Sequence, residues 1–121
     1  MVIRQSIANG LSILMPTTQD ALFRTLADPT RRALFERLCR EGALPVHVLT
    51  DGAGISQPAV SKHLVQLRGA GLVRAEAQGR ETIDRAEPRA LSPLADWLAD
   101  SATFWSARLD ALGDLLKRMD Q

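Results

Sequence analysis

Little in this chain points to chemistry on a covalent bond. Its 121 residues include one cysteine, Cys39. A single thiol builds no disulfide framework, so a reducing, cytoplasmic setting is expected. No apolar run approaches the roughly 20 residues needed to cross a bilayer, so no membrane partner is expected. The opening stretch MVIRQSIANGLSILMPTT has neither the continuous apolar segment nor the Ala-x-Ala site of a secretory signal. There is no Gly-x-Ser-x-Gly, no phosphate-binding loop and no His-Glu-x-x-His. A nucleophilic thiol at Cys39 needs a nearby base, and the sequence offers none close by, so the chain does not read as an enzyme. Charge of one sign is also lacking. Fifteen Lys and Arg against fourteen Asp and Glu leave a net charge of +1. That removes any global basic signal for nucleic acid but leaves room for a local basic face. Residues 90–121 hold three basic and five acidic groups, so the acidic excess sits at the C-terminus.

What is present is an ordinary folding composition, 45% hydrophobic and 24% charged. At this length one domain with a small core is expected. Residues 1–16 are ambiguous. Ile3, Ile7, Leu11 and Leu14 recur at helical spacing, but Asn9-Gly10 interrupts them, leaving an N-terminal arm or short helix beside a loosely ordered terminus. Thr17 to Ala27 reads as a helix on Ala21, Leu22, Leu26 and Ala27. A second helix starts at ADPTRRALFERLCREG, with Asp28 as N-cap and Pro29 in the first helical position. Ala33, Leu34, Leu38 and Cys39 form its expected buried stripe, broadened by Phe35, and Gly42 suits its end. Pro45 to Gly54 reads as a third, short helix.

The most informative stretch is GISQPAVSKHLVQLRGAGLV, Gly54 to Val73. Ser56 is the expected N-cap, with Gln57 and Pro58 in the first helical positions. Val60, Leu64 and Leu67 repeat at i, i+4, i+7 and anchor the helix. Its start is otherwise short or polar. Two short helices joined by a tight turn make a helix-turn-helix, whose second helix puts its N-terminal residues against base edges in the major groove. Gln57 can pair bidentately with adenine, Ala59 can meet a thymine methyl, and Ser61 can serve base or phosphate. Lys62, His63 and Arg68 are candidate phosphate donors. Plain solvation accounts for the same polar residues, and helix capping alone accounts for Ser56. Arg31 and Arg32, one turn into their own helix, suit phosphate contact or internal pairing equally.

Beyond Gly71 the period changes from 3.6 to about 2. Val73, Ala75 and Ala77 alternate with Arg74, Glu76 and Gln78. The pattern predicts a two-stranded hairpin with its tip at Gln78-Gly79-Arg80. Such a hairpin is a wing, and Arg80 at its tip would reach the minor groove or the adjacent backbone. From Pro88 the chain is helical again. Leu91, Leu94, Leu98, Trp105, Leu109, Leu112, Leu115, Leu116 and Met119 form one long stripe, widened by Trp97 and Phe104, with a bend expected near Pro93 or Asp100-Ser101. A helix this apolar needs cover. A second copy of the same helix is the expected cover, through Leu94, Leu98, Trp105, Leu109, Leu112 and Leu116.

LADPTRRALFERL, GISQPAVSKHLVQLRGAGLV and GRETID, in this order and spacing, resemble the ArsR/SmtB family of winged helix-turn-helix transcriptional repressors across roughly residues 19–87. The resemblance implies a mainly helical fold with a β-hairpin wing. It implies a homodimer formed through the terminal helices, a palindromic double-stranded DNA operator, and an effector that weakens DNA binding. The chain would then divide into an arm over 1–16, a DNA-binding core over 17–87 and a dimerisation region over 88–121. The family's Cys-x-Cys metal box falls on Pro45-Val46-His47, and there is no histidine after His63. Neither a metal site nor a cofactor is therefore expected, and the effector is left to a small molecule or to redox chemistry at Cys39. Trp97, Phe104 and Trp105 suit a dimer core or an effector pocket. A competing reading keeps the winged helix as a protein-interaction module without specific DNA binding, which the near-neutral charge favours.

Overall fold

The structure, a computed structural model, describes residues 17–120. The N-terminal arm or short helix of residues 1–16 lies outside the described residues. Helix α1, Thr18–Ala27, begins with a capping box. The Thr17 hydroxyl accepts from the Asp20 N–H at 3.1 Å, and the Asp20 carboxylate accepts from the Thr17 N–H at 2.9 Å. The Thr17 amide holds the Asp20 carboxyl below its ordinary pKa, so the box is intact at neutral pH and loosens in acid as that group protonates.

Helix α2, Pro29–Glu41, follows at once. Asp28 accepts from the Arg31 N–H at 3.2 Å, and Pro29 occupies the first turn, where no hydrogen bond is lost. It ends on Gly42 at φ +87°, a conformation other residues rarely adopt. Leu34, Phe35 and Leu38 are buried, but Ala33 and Cys39 are exposed. The buried face is therefore narrower than the predicted stripe at both edges, by Ala33 on one and Cys39 on the other.

The third element differs from the expectation over Pro45 to Gly54. A two-residue strand β1, Leu44–Pro45, comes first, and helix α3 covers only Val46–Thr50 before a turn. Helix α4, Gln57–Gly69, then buries Val60, Leu64 and Leu67 completely. Strands β2, Val73–Gln78, and β3, Glu81–Ala86, form the wing as antiparallel partners. Strand β1 adds to the far side of β3, giving a three-stranded sheet ordered β1-β3-β2 instead of a free hairpin. The core joins Leu22, Leu34, Phe35, Leu38 and Leu49 to the α4 residues and to Leu72, Val73 and Ile83.

The alternation read for β2 holds only at Val73, since Ala75 and Ala77 are exposed. On β3 two consecutive residues, Ile83 and Asp84, are both buried. The one-in, one-out pattern fails there because β3 is the middle strand and the Arg68 side chain reaches from α4 to Asp84.

After a 3-10 turn over Pro88–Leu91, helix α5 runs unbroken from Ser92 to Met119, so the bend expected near Pro93 or Asp100-Ser101 does not divide it. Ser92 begins a second compact unit. At 1.5 Å per residue its 28 residues span about 42 Å. None of its side chains is buried. Trp97, Leu98, Phe104, Trp105, Leu109, Leu112, Leu115, Leu116 and Met119 are all exposed. Phe104 and Trp105 meet edge to face at 5.5 Å, and the Arg108 guanidinium lies 4.1 Å over the Phe104 ring.

Candidate nucleic-acid interface

The start of α4 is held from behind and open in front. Val60, Leu64 and Leu67 are fully buried, and the Ser56 hydroxyl caps the helix by accepting from the Ala59 N–H at 3.3 Å. Gln57, Pro58 and Lys62 are exposed, and Ala59 and Ser61 are half-buried. The first turn therefore presents an amide side chain, a small apolar side chain, hydroxyls and the positive end of the helix dipole on one surface. That set suits base edges and phosphate oxygens.

The wing lies beside it. Gln78 pairs with Glu81 across the two-residue turn Gly79-Arg80. Gly79 has φ +64° and Arg80 has no positive φ. A positive φ at the first central residue alone is the pattern of a type II′ turn, which requires glycine there. Gln57 faces the wing across a depression of about 180 Å³, lined also by Pro45, Val46, His47, Glu81 and Thr82. His47 Nδ1 lies 3.6 Å from a Glu81 carboxylate oxygen, with both side chains more than half exposed. The sequence reading did not anticipate this proximity, because it depends on β1 pairing with β3.

The arginines divide sharply. Arg31 donates to the carbonyls of Thr25, at 2.7 Å, and Arg24, at 3.2 Å. Arg32 donates to the Leu26 carbonyl at 2.9 Å. Both therefore satisfy the carbonyls that the end of α1 leaves without a helical partner. Arg37 donates to the carbonyls of Leu49 and Asp51 and to Glu41, tying α2 to the end of α3. Arg68 forks onto Asp84, with Nε 2.8 Å from Oδ1 and Nη2 2.9 Å from Oδ2. Arg31, Arg32 and Arg68, all three expected as phosphate donors, thus each give part of their guanidinium group to an internal acceptor, the internal pairing that was the alternative for Arg31 and Arg32. His63 is turned the same way, with Nδ1 3.5 Å from the Asp28 carboxylate and only 26% of its side chain exposed. On the wing, Arg74 pairs with Glu87 at 3.7 Å and Arg85 with Glu76 at 3.3 Å. Lys62 and Arg80 form no ion pair or side-chain hydrogen bond with another described residue. Both are thus uncommitted among the described residues, Lys62 on α4 and Arg80 at the tip of the wing.

Cys39 stands apart from this surface, exposed on α2. Partial burial, and secondarily the Glu36 carboxylate, push its thiol pKa up. That disfavours the thiolate that redox sensing requires. Among the described residues no group of three or more His, Cys, Asp and Glu is placed to hold a metal ion.

Comparison with known proteins identifies the family. Residues 26–76 match a family model described as a helix-turn-helix domain. The chain is 36% identical over 97 residues to the HTH-type transcriptional regulator Rv2034 of Mycobacterium tuberculosis, covering 80% of this chain and 87% of that one. It is 39% identical over 71 residues to the arsenic resistance transcriptional regulator ArsR1 of Pseudomonas putida, covering 59% of this chain and 56% of that one. The match thus spans only about half the length of that relative. Among solved structures, the ArsR family transcriptional regulator RHA00566 superimposes with a TM-score of 0.67 at 33% identity, covering 76% of this chain and 94% of that one.

Proposed function

The chain belongs to the ArsR family of winged helix-turn-helix transcriptional regulators, and we propose that it is a homodimeric repressor which reads a palindromic operator through α4 and the wing. The observation that carries this reading is the exposed, polar first turn of α4 beside the wing, with Lys62 on the helix and Arg80 at the wing tip uncommitted among the described residues. Gln57 reads a base, Ala59 and Ser61 lie against the groove, and Lys62 and Arg80 hold phosphates. Dimerisation runs through Leu94, Leu98, Trp105, Leu109, Leu112 and Leu116 of α5, which places two copies of α4 on successive turns of the duplex. The releasing effector is a small molecule rather than a metal. Supporting this, Cys39, His47 and His63 stand on three different helices.

The test is selection of the tightest-binding duplexes from a randomised library, followed by fluorescence anisotropy at several salt concentrations. A two-fold symmetric site is expected. With about two phosphates held per protomer, the slope of log K against log salt should be roughly −4, shallow for a DNA-binding dimer. Equal affinity for the selected duplex and a scrambled one would sink this reading and favour the protein-interaction module.

A further inference from the structure

We propose that Arg68 and Asp84 are positioning residues which set the wing against α4, so that the Arg80 contact with the DNA backbone depends on this pair. The inference rests on the DNA-binding reading above and goes beyond it by naming what fixes the geometry of the two reading elements.

Asp84 is completely buried, and its two carboxylate oxygens are both taken by the Arg68 fork at 2.8 and 2.9 Å. Such a fork fixes orientation as well as distance, since two parallel bonds leave neither group free to rotate. Cohesion alone would not require it, because apolar side chains of similar volume hold two elements together at least as well as a buried ion pair. The location supplies the second part of the argument. Arg68 sits in the last turn of α4, and Asp84 is opposite Leu44 of β1 and Ala75 of β2 at the middle of the sheet. One residue thus joins the wing to both helices of the motif, through its backbone to the strand that leads into α3 and through its side chain to α4. Arg80 is four residues from Asp84, about 13 Å along an extended strand. Gln57 is eleven residues from Arg68, about 16 Å along a helix. Both DNA-reading points are therefore at the ends of long arms that meet at this pair. A rotation of about 20° there would carry the wing tip roughly 4–5 Å, more than the length of a hydrogen bond.

The experiment is a double-mutant cycle in the full chain on the selected duplex. Arg80→Ala is measured in the natural background and in Arg68→Met/Asp84→Leu, which removes the pair without leaving an orphaned charge. Thermal melts confirm that the proteins are folded at the assay temperature. In the natural background Arg80→Ala should weaken binding about tenfold and flatten the salt slope by about one unit per protomer. In the Arg68→Met/Asp84→Leu background the same change should cost less than about twofold and leave the slope unchanged. The Gln57-dependent base preference should persist in both. An Arg80 penalty of equal size in the two backgrounds would overturn the proposal while leaving the DNA-binding reading intact. Loss of selective binding by the natural protein itself would bring down that reading, and this inference with it. Should Arg68→Met/Asp84→Leu not fold, Arg68→Lys takes its place. It keeps the charge but not the fork, and a full Arg80 penalty in that background overturns the proposal as well.

Discussion

Helix α4 buries Val60, Leu64 and Leu67 within 13 residues, whereas α5 buries no side chain in 28. The two also differ in what they leave outside. Helix α4 exposes Gln57 and Lys62, while α5 exposes Trp105, Leu109 and Leu112. A helix anchored in its own core is free to present polar groups to a ligand. One whose apolar face is uncovered depends on another surface for its stability. Stability in the first region should therefore be a property of the single chain, and in the second a property of concentration.

The largest effect should come from placing a charge in the second region. Trp105 is 59% exposed on α5, so Trp105→Asp costs a single folded chain little. At a dimer seam it buries a carboxylate without a partner, which costs several kcal/mol. Light scattering should report a monomer, and DNA affinity should fall with the loss of the second half-site. A dimer that survives this change would place the interface elsewhere. Next comes Leu64→Ala in α4. Leu64 is fully buried, and a cavity at such a site costs about 2–5 kcal/mol. The melting temperature should fall by roughly 10 °C or more, and the drop should not depend on protein concentration. Leu109→Ala, at 63% exposure, should instead change the concentration dependence of melting. If both variants shift melting in the same concentration-dependent way, the division between the two regions fails.

That division was legible in the sequence to different depths. The caps at Asp28 and Ser56 were readable because each is settled within three residues. The stripe of Val60, Leu64 and Leu67 was readable because helical period alone fixes it. Strand β1 was missed because two residues carry no period, and only pairing with β3 makes them a strand. The internal partners of the arginines were not legible for a related reason. Arg68 and Asp84 are sixteen residues apart, and Arg31 and Arg32 reach back across the Asp28-Pro29 corner. Composition shows that such groups are charged; only the folded chain shows which charges are already satisfied.

Within α4 the reading turn should separate base contacts from backbone contacts. Gln57 is exposed and forms no part of the core. Gln57→Ala should leave the melting temperature unchanged, weaken binding to the selected duplex by about 1–3 kcal/mol and relax preference at one base position. Competition with duplexes carrying each base at that position measures this directly. An equal loss on all four would reduce Gln57 to a backbone contact.

The smallest effects distinguish the two kinds of cation. Lys62 and Arg32 carry the same charge, and a reading based on charge alone treats them alike. In the structure Arg32 closes the end of α1 by donating to Leu26 at 2.9 Å, while Lys62 contacts no described acceptor. Lys62→Ala should therefore flatten the salt slope by about one unit per protomer and leave stability unchanged. Arg32→Ala should leave the slope alone and lower stability by about 0.5–1.5 kcal/mol, the net worth of a hydrogen bond. Anisotropy at several salt concentrations and a melt on each variant decide the matter. If Arg32→Ala flattens the slope as much as Lys62→Ala does, Arg32 releases the α1 carbonyl on binding DNA. The inward-facing arginines would then form a reserve of phosphate contacts, and the natural slope would be correspondingly steeper than −4.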